Sequence, residues 1–351
     1  MRRDIAPAPS TVAHSHGPDT DLMRETRMPE KFALATWPTP MEPAPRLAEA
    51  VGLRAGDLWI KRDDLTGLGG GGNKVRKLEW LVADALRHGA DTLVTTGGPQ
   101  SNHARLTAAA AARVGLDAVL VLPAPKGSPS IVGNLLLDAL LGARIAWAEE
   151  ASGPAELTVA AQETCAALRE QGARPHLVPF GGSSALGARG YLEAGAEILA
   201  QQPDVRHVVT ALGSGATMAG LVAALGPGRV LGVDVGALPD PGGTAASIIG
   251  ELTDEEQPVE ALRVRADQVG EAYAVLYEPV LDAITTVAAT EGVLLDPVYT
   301  GRAASGLIAA VRDGDIRPGE RTVLVHTGGL PGLFGHAEAA HRAEQLLRTH
   351  G

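Results

Sequence analysis

The chain has almost no cysteine, since Cys165 is the single one among its 351 residues. A single cysteine cannot form an internal disulfide, so the usual crosslink of secreted proteins is excluded and a reducing compartment, the cytoplasm, is expected. Cys165 falls in a helical pattern with Val159 and Leu168, which indicates a small core residue.

Long apolar runs and excess positive charge are also missing. No stretch of about 18 or more apolar residues is free of glycine, proline and charge, which argues against a membrane-spanning helix. The net charge is -11, whereas nucleic-acid binding needs a basic face. The expected partner is therefore a small molecule rather than a membrane or a nucleic acid.

The amino-terminal segment, residues 1–32, is rich in proline, serine, threonine, histidine and charge, and it shows no periodicity. Its Arg2-Arg3 start is followed by no apolar stretch of the kind found in signal peptides. We expect residues 1–32 to form a disordered tail, with order beginning near Trp37.

What the chain does contain is a regular alternation of short apolar runs and helical patterns. This alternation predicts an α/β fold with parallel sheets and helices on both faces, and its two series predict two domains. The first series has predicted strands at 58–60, 92–95, 118–122, 144–147 and 175–178, and helices at 103–114, 130–141, 155–170 and 185–199. The second has predicted strands at 205–210, 230–233, 262–264 and 322–325, and helices at 217–225, 244–252, 280–291, 301–311 and 330–347.

A glycine run at 69–72 delivers Asn73 and Lys74 to the start of a predicted helix, which is indicated by apolar residues at i, i+3 and i+4 spacing from Val75 to Leu86. Glycines permit positive φ and let a bulky ligand approach the backbone. The Lys74 amine can therefore act as a nucleophile toward a ligand. The alternative is a flexible loop that ends in a solvated lysine.

A second loop, residues 96–103, joins a predicted strand to a predicted helix, which is where open α/β sheets bind ligands. It places Gln100, Ser101, Asn102 and His103 beside backbone N–H groups, an arrangement that favours carboxylate binding. The structural alternative is Ser101 as a helix N-cap, but a cap accounts for one polar residue and not for four in a row.

A third loop, residues 211–217, follows a buried strand and opens a helix, which predicts a phosphate site made by backbone N–H groups and the helix dipole. Its glycines also fit a dinucleotide fingerprint, with Asp234 as the candidate ribose ligand. Met218 stands where that fingerprint needs Gly or Ala for close packing. A monophosphate fits better, and NAD stays an alternative.

Two later stretches, 295–301 and 325–329, also lie at junctions between predicted elements. The first contains Tyr299, which could equally be a buried tyrosine with a satisfied hydroxyl, and the second could be a simple turn. No metal is expected from the late histidines, because they lack the i, i+4 pairing with a nearby acid that a zinc site needs. These histidines are His326, His336 and His341.

Together these stretches resemble the pyridoxal phosphate enzymes of fold type II, the tryptophan synthase β fold, and within them the branch of D-cysteine desulfhydrase and 1-aminocyclopropane-1-carboxylate deaminase. The resemblance runs from about Trp37 to about His336. It rests on six blocks in order, IKRDDLTG (60–67), GGNKVRKLEWL (71–81), QSNHAR (100–105), PFGGSSALGARGY (179–191), EGVLLDPVYTG (291–301) and VHTGGLPGLFG (325–335).

The resemblance implies two open, mostly parallel twisted sheets with helices on both faces. It implies a large cofactor-binding domain formed by residues 33–80 and 190–351, and a small domain formed by residues 81–189. It also implies a cytoplasmic homodimer that acts on a small amino acid.

The resemblance assigns roles residue by residue. It implies that Lys74 is catalytic and holds pyridoxal 5'-phosphate covalently. Ser101 is a further implied catalytic residue, and it binds the substrate together with Gln100, Asn102 and His103. The other implied cofactor ligands are Asn102, Gly213, Ser214, Gly215, Ala216, Thr217, Thr300 and Thr327.

Two tyrosines face the substrate in this branch, and they correspond to Tyr273 and Tyr299. The first usually stands in a YGVP-like segment, whereas this chain has YAVL at 273–276. Tyr277 is therefore an alternative to Tyr273.

The implied reaction is an α,β-elimination, with D-cysteine giving pyruvate, hydrogen sulfide and ammonia. In this branch the deaminases carry Glu and Leu at the positions of Thr300 and Thr327, while the desulfhydrases carry Thr at both. The alternatives within the family are 1-aminocyclopropane-1-carboxylate deaminase and cysteate sulfo-lyase. Outside it, an NAD-dependent dehydrogenase and a non-catalytic ligand-binding module stay open.

Overall fold

Ten strands and twelve α-helices form in the part of the chain that the computed structural model describes, residues 31–349 except 126, 128, 129 and 152. The strands are β1 (Met41–Pro43), β2 (Leu58–Arg62), β3 (Thr92–Thr96), β4 (Asp117–Pro123), β5 (Arg144–Ala148), β6 (Pro175–Leu177), β7 (His207–Leu212), β8 (Val230–Asp234), β9 (Arg263–Arg265) and β10 (Thr322–His326). The helices are α1 (Pro45–Ala50), α2 (Lys74–Arg87), α3 (Asn102–Val114), α4 (Gly133–Leu140), α5 (Pro154–Glu170), α6 (Ala185–Gln201), α7 (Ala216–Leu225), α8 (Pro241–Thr253), α9 (Glu278–Glu291), α10 (Thr300–Arg312), α11 (Leu330–Phe334) and α12 (Ala337–Thr349).

The strands make two sheets. The larger has the order β1-β2-β10-β7-β8-β9, and the smaller has the order β5-β4-β3-β6. Neighbouring strands are parallel in both sheets, except that β1 is antiparallel to β2. The predicted fold class, two mostly parallel sheets with helices, is confirmed.

Helices cover both faces of each sheet. Alternate residues of a strand point to opposite sides, so neighbouring residues pack against different helices. Val208 belongs to the apolar core formed with α6, α7 and α8, whereas Val209 belongs to the core formed with α1, α9 and α10. In the small sheet, Leu93 packs with α2 and α3, and Val94 packs with α5. Burial on both faces explains the nearly continuous apolar runs of these strands.

Two predicted helices differ from the observed ones. The predicted helix 130–141 begins at Gly133, whose φ of +58° is left-handed and starts the helix there. The predicted helix 330–347 is interrupted between α11 and α12. His336 Nδ1 accepts the N–H of Ala339 at 3.2 Å, so α12 begins with a cap of its own.

The predicted domain boundaries fall inside helices. The boundary at 80/81 lies within α2 and the boundary at 189/190 lies within α6, so the division into domains stays a proposal. Residues 1–30 of the predicted tail lie outside the described residues. Lys31 and Phe32 contact α2, since the Phe32 N–H donates to Glu79 O at 2.7 Å and Lys31 Nζ lies 3.6 Å from the Glu79 carboxylate.

Two expectations from composition can be compared with the structure. Cys165 is buried in the core between α5 and the small sheet, as predicted. Within the described ranges, every helix falls short of the length and apolar character that crossing a membrane demands.

Candidate active site

A cleft of about 350 Å³ lies between the two sheets. Its walls include the loops after β3, β6, β7 and β10 and the start of α2, so the carboxyl ends of strands from both sheets face one space. Ligands of open α/β sheets bind at this end. Of the residues predicted for the site, the lining includes Lys74, Gln100, Ser101, Asn102, His103, Gly213, Ser214, Gly215, Thr217, Tyr273, Tyr299 and Thr327.

Lys74 is the first residue of α2, and the glycine run holds it there. Gly71 has a φ of +76°, and a Cβ at that position would collide with the Asp64 carbonyl oxygen, so glycine is required. Lys74 Nζ donates to Gly181 O at 3.1 Å, and Lys77 Nζ donates to the same oxygen at 3.3 Å. The two amines therefore lie side by side.

The surroundings of the two amines favour their neutral forms. Burial lowers the pKa of Lys74 to about 8. Burial, and then the positive charge of Lys74, lowers the pKa of Lys77 well below its ordinary value. A lysine whose pKa lies near the working pH is available as a nucleophile and as a base.

Asn73, which the sequence reasoning did not assign, ties Lys74 to two other loops of the cleft. Its N–H donates to Thr327 O at 2.9 Å, and its Nδ2 donates to Thr217 Oγ1 at 3.1 Å. The start of α2 is thereby joined to the loops after β7 and β10. The available signal was an amide side chain immediately before the lysine at a helix start.

Ser101 is the N-cap of α3, and its Oγ accepts the N–H of Ala104 at 3.1 Å. The cap uses the hydroxyl oxygen as an acceptor and leaves the hydroxyl proton for another partner. Because Ser101 also lines the cleft, the capping role and a ligand-binding role are compatible.

Gln100 and Asn102 are bonded to the start of α4. Gln100 Nε2 donates to Val132 O at 3.0 Å, and Gln100 Oε1 accepts the N–H of Asn134 at 2.9 Å. Asn134 Nδ2 donates to Gln100 O at 2.8 Å and to Asn102 Oδ1 at 3.0 Å. These bonds use half of the hydrogen-bonding capacity of the Gln100 amide, so less of it faces a ligand than the sequence suggested.

His103 lies at the base of the cleft and is 3% exposed. Thr95 Oγ1 gives its proton to Val178 O, so it accepts from His103 Nε2 at 2.9 Å. Burial, and then the charges of Lys74 and Lys77, lowers the pKa of His103 well below its ordinary value. The imidazole is therefore neutral, and its Nε2 proton is already bonded within the protein.

The loop between β7 and α7 has the form of an anion site. Gly215 has a φ of +94° and directs the chain into α7, whose first N–H groups have no partner within the helix. Ser214 Oγ accepts from Ser183 Oγ at 2.7 Å. Ala216, a predicted cofactor ligand, is buried and lies outside the lining of the cleft, so any contact with a ligand goes through its N–H.

Met218 and Asp234 weaken the dinucleotide alternative. Met218 is buried against Gly232, and a Cβ on Gly232 would collide with its sulfur. The thioether therefore separates α7 from β8, where a dinucleotide fold brings helix and strand together through a small residue. Asp234 Oδ1 accepts the N–H of Gly236 at 2.7 Å, and Asp234 lies outside the lining of the cleft.

Tyr273 and Tyr299 form a pair in the cleft, with hydroxyl oxygens 2.6 Å apart. Burial, and then the neighbouring Tyr273, raises the pKa of Tyr299 well above its ordinary value. One hydroxyl donates to the other, so the pair keeps one proton that can be donated to a ligand. Tyr277, the alternative to Tyr273, donates to Gln268 Oε1 at 3.2 Å and lies outside the lining.

Ala274 holds the Tyr273 segment in a strained conformation. Its φ is +61°, in the left-handed region, at the position where a YGVP-like segment has glycine. We expect Ala274→Gly to raise the free energy of unfolding by about 1 kcal/mol, because the left-handed cost of a side chain exceeds the extra backbone entropy of glycine. Urea unfolding of both proteins measures this difference.

The control for this substitution is Ala166→Gly, in the exposed middle of α5. There the same substitution should lower the free energy of unfolding by about 1 kcal/mol, because glycine has a lower helix propensity than alanine. A loss of stability in both variants would contradict the strain at Ala274.

His336 is hydrogen-bonded to the Tyr273 segment. It lines the cleft, and its Nε2 donates to Ala274 O at 2.9 Å. No metal is expected at His336 from the sequence, and its contact with Ala274 was not predicted, because no local pattern links two residues that are 62 positions apart.

Thr300 and Thr327 occupy different places. Thr327 lines the cleft, whereas Thr300 lies outside the lining. Thr300 Oγ1 donates to Asp296 Oδ1 at 2.7 Å and accepts the N–H of Asp296 at 2.8 Å. The Asp296 carboxylate, which was not assigned from the sequence, also accepts the N–H groups of residues 298–300 and so shapes the loop that presents Tyr299.

Comparisons with known proteins show the family of the chain. Residues 32–328 match the family described as pyridoxal-phosphate dependent enzyme. A Pyrococcus abyssi protein with the provisional name 1-aminocyclopropane-1-carboxylate deaminase is 39% identical, with 88% of this chain and 94% of the relative covered. The D-cysteine desulfhydrase of Klebsiella pneumoniae (strain 342) is also 39% identical, over 90% of this chain and 98% of that protein.

Solved structures agree on the fold. The crystal structure of an ACC deaminase homologue superposes with a TM-score of 0.81 at 36% identity, covering 91% of this chain and 96% of that one. A threonine deaminase isoform of Solanum lycopersicum shares the fold alone, with a TM-score of 0.57 and 18% identity over 83% of this chain and 79% of that one. The chain therefore belongs to the pyridoxal phosphate-dependent enzymes, in the group of 1-aminocyclopropane-1-carboxylate deaminases and D-cysteine desulfhydrases.

Proposed function

We propose that this enzyme converts D-cysteine and water to pyruvate, hydrogen sulfide and ammonia by α,β-elimination. The observation that carries the proposal is that Thr327 lines the cleft, at the position where deaminases of the resembled branch carry leucine. Thr300 follows the same desulfhydrase pattern. A cytoplasmic location and a homodimer are part of the proposal.

The residues of the cleft fit pyridoxal phosphate. The loop at 213–215 and the start of α7 offer N–H groups and a helix dipole to the phosphate, with the Ser214 and Thr217 hydroxyls beside them. A Cβ on Gly213 would lie 3.3 Å from the Tyr299 ring, so glycine keeps this side of the cleft open. Lys74 would hold the cofactor covalently, and Asn102 would lie beside it.

The start of α3 would bind the substrate carboxylate. The Ser101 hydroxyl has a proton to donate, and the dipole of α3 favours negative charge at this point. Asn102 and Gln100 are held in place by Asn134, so the carboxylate would meet a rigid surface. His103 supports this surface from below, and we assign it to positioning rather than to direct contact.

Lys74 and the tyrosine pair would carry out the proton transfers. When bound, pyridoxal phosphate accepts the electron pair left at Cα after deprotonation. Lys74, with its lowered pKa, would take the Cα proton as a base. The Tyr273–Tyr299 pair would give a proton to the departing thiolate, since the raised pKa of Tyr299 keeps its hydroxyl protonated.

The substrate proposal is tested by the products of the wild type. We expect pyruvate and sulfide from D-cysteine, and little 2-oxobutyrate from 1-aminocyclopropane-1-carboxylate. Thr327→Leu should lower kcat/KM for D-cysteine by about 10- to 100-fold. The substitution would remove the hydrogen bond between the Thr327 hydroxyl and the cofactor, which is worth about 1.5–3 kcal/mol. Thr327→Ser keeps the hydroxyl and should stay close to the wild type.

Thr327 is the better position to change, because Thr300→Glu would set a second carboxylate against Asp296, which Thr300 contacts at 2.7 Å. A wild type that turns over the cyclopropane substrate alone would overturn the proposal. Activity on cysteate alone would keep the elimination and replace the substrate.

A further inference from the structure

The end of α2 remote from the cleft carries metal-ligand side chains that the proposed reaction does not use. Asp84 and His88 lie four residues apart on α2, and His176 lies on the neighbouring strand β6. One ligand atom of each lies within 4.8 Å of the other two. We propose that Asp84, His88 and His176 bind a divalent transition-metal ion of the zinc type.

The distances suit zinc. His176 Nε2 lies 3.6 Å from Asp84 Oδ2, and His88 Nδ1 lies 3.6 Å from Asp84 Oδ1. Two ligands bonded to a tetrahedral ion at about 2.0–2.1 Å lie about 3.3 Å apart, so the pair of Asp84 and His176 needs only a small rotation. His88 Nδ1 donates to Asp84 O at 2.9 Å, and His88 must give up this bond to bind the ion through Nδ1. Two imidazoles and a carboxylate are a set that zinc accepts, with water in the fourth position.

The site combines two half-buried ligands with one exposed ligand. The Asp84 and His176 side chains are 25% and 22% exposed, while the His88 side chain is 67% exposed. Arg87 Nη2 donates to Asp84 Oδ1 at 3.0 Å, so the ion would bind at Oδ2, on the side of His176. The ring centroids of His88 and His176 lie 6.0 Å apart.

An ion here would join α2 to β6 a second time. These two segments already meet at the cleft, where Lys74 at the start of α2 bonds Gly181, which follows β6. Asp84 lies ten residues along α2 from Lys74, about 15 Å away, so the ion would stabilise the frame of the site without touching a substrate. This inference is independent of the proposed substrate.

From the sequence, no metal is expected at the three late histidines. The spacing of Asp84 and His88 was an available signal, but it supplies two ligands from one helix. The third ligand becomes visible once β6 is placed beside α2, because His176 is 92 and 88 residues from the other two in sequence.

Zinc binding to the untagged holoenzyme tests the proposal. After equilibrium dialysis against zinc chloride and metal analysis, we expect one tightly bound zinc per chain and a rise in Tm of about 3 °C at saturation. Asp84→Asn and His176→Gln should each weaken binding at least about 10-fold and remove most of the rise in Tm. His341→Gln, which changes an exposed histidine of α12, is the matched control and should bind like the wild type.

Zinc uptake by His176→Gln equal to that of the wild type would overturn the proposal, as would the absence of saturable uptake by the wild type. His88→Gln alters an exposed side chain, so it decides the matter if His176→Gln fails to fold. A His14→Ala/His16→Ala variant separates this site from the imidazoles of the amino-terminal segment, and loss of uptake there would also overturn the proposal.

Discussion

Replacing Lys74 by alanine is expected to lower turnover of the amino-acid substrate by about 10³-fold or more while leaving the fold intact. Lys74 is half-buried at the start of α2, and its Nζ donates to Gly181 O at 3.1 Å, so its removal disturbs little packing. The catalytic loss is large because one amine would both hold the cofactor and act as the base for Cα. Steady-state rates measure the loss of turnover, and circular dichroism shows whether the fold is intact.

The assignment to Lys74 has one close competitor, since Lys77 Nζ bonds the same carbonyl oxygen at 3.3 Å. Borohydride reduction of the holoenzyme followed by peptide mapping should place the pyridoxyl group on Lys74. Lys77→Met is the matched control and should keep the covalently held cofactor. A pyridoxyl group on Lys77, or on the buried Lys61, would refute the assignment.

The loops of the cleft could be predicted from the sequence because each one is a local pattern. A glycine run before Lys74, four polar residues after β3 and a glycine loop after β7 each mark a junction between a strand and a helix. In parallel sheets such junctions meet at the same edge, so local patterns were enough to bring these residues together.

The residues that hold these loops could not be predicted in the same way. Asn134, Asn73 and His336 act through hydrogen bonds to residues 32 to 144 positions away, and no periodicity reports such pairs. Thr300 is another position at which the hydrogen-bond partner could not be predicted. Its hydroxyl, implied as a cofactor ligand, donates to Asp296 instead. Sequence patterns therefore predicted which loops meet at the cleft, whereas the partners of their polar groups required the structure.

Arg76→Met is expected to lower the free energy of unfolding by about 3–5 kcal/mol, because Arg76 pairs with a buried carboxylate. Its guanidinium donates to both oxygens of Asp63 at 2.8 Å, and Asp63 is fully buried. It also bonds Glu197 of α6 at 2.9 Å and lies 4.1 Å from the ring centre of Trp37. Removing it leaves a buried carboxylate without its counter-charge.

The pH dependence separates this explanation from a simple packing defect. Burial alone would raise the pKa of Asp63, but the charge and hydrogen bonds of Arg76 hold it below its ordinary value. In the wild type this pair therefore stabilises the fold fully at pH values above about 4, and its contribution is lost as the pH falls below about 4, toward the lowered pKa of folded Asp63. Without Arg76, burial should raise the pKa of Asp63, so the variant gains stability as acid neutralises the carboxylate.

The difference in unfolding free energy between wild type and Arg76→Met should thus be largest near pH 7 and should shrink toward pH 4. Urea unfolding across this range measures it, and Asp63→Asn/Arg76→Met should recover part of the loss, since it removes the uncompensated charge. Arg174→Met, at an exposed pair with Asp91, serves as the control and should cost less than about 1 kcal/mol at every pH. A loss in Arg76→Met that stays constant with pH would mean that the side chain acts through its packing on Trp37 rather than through its charge.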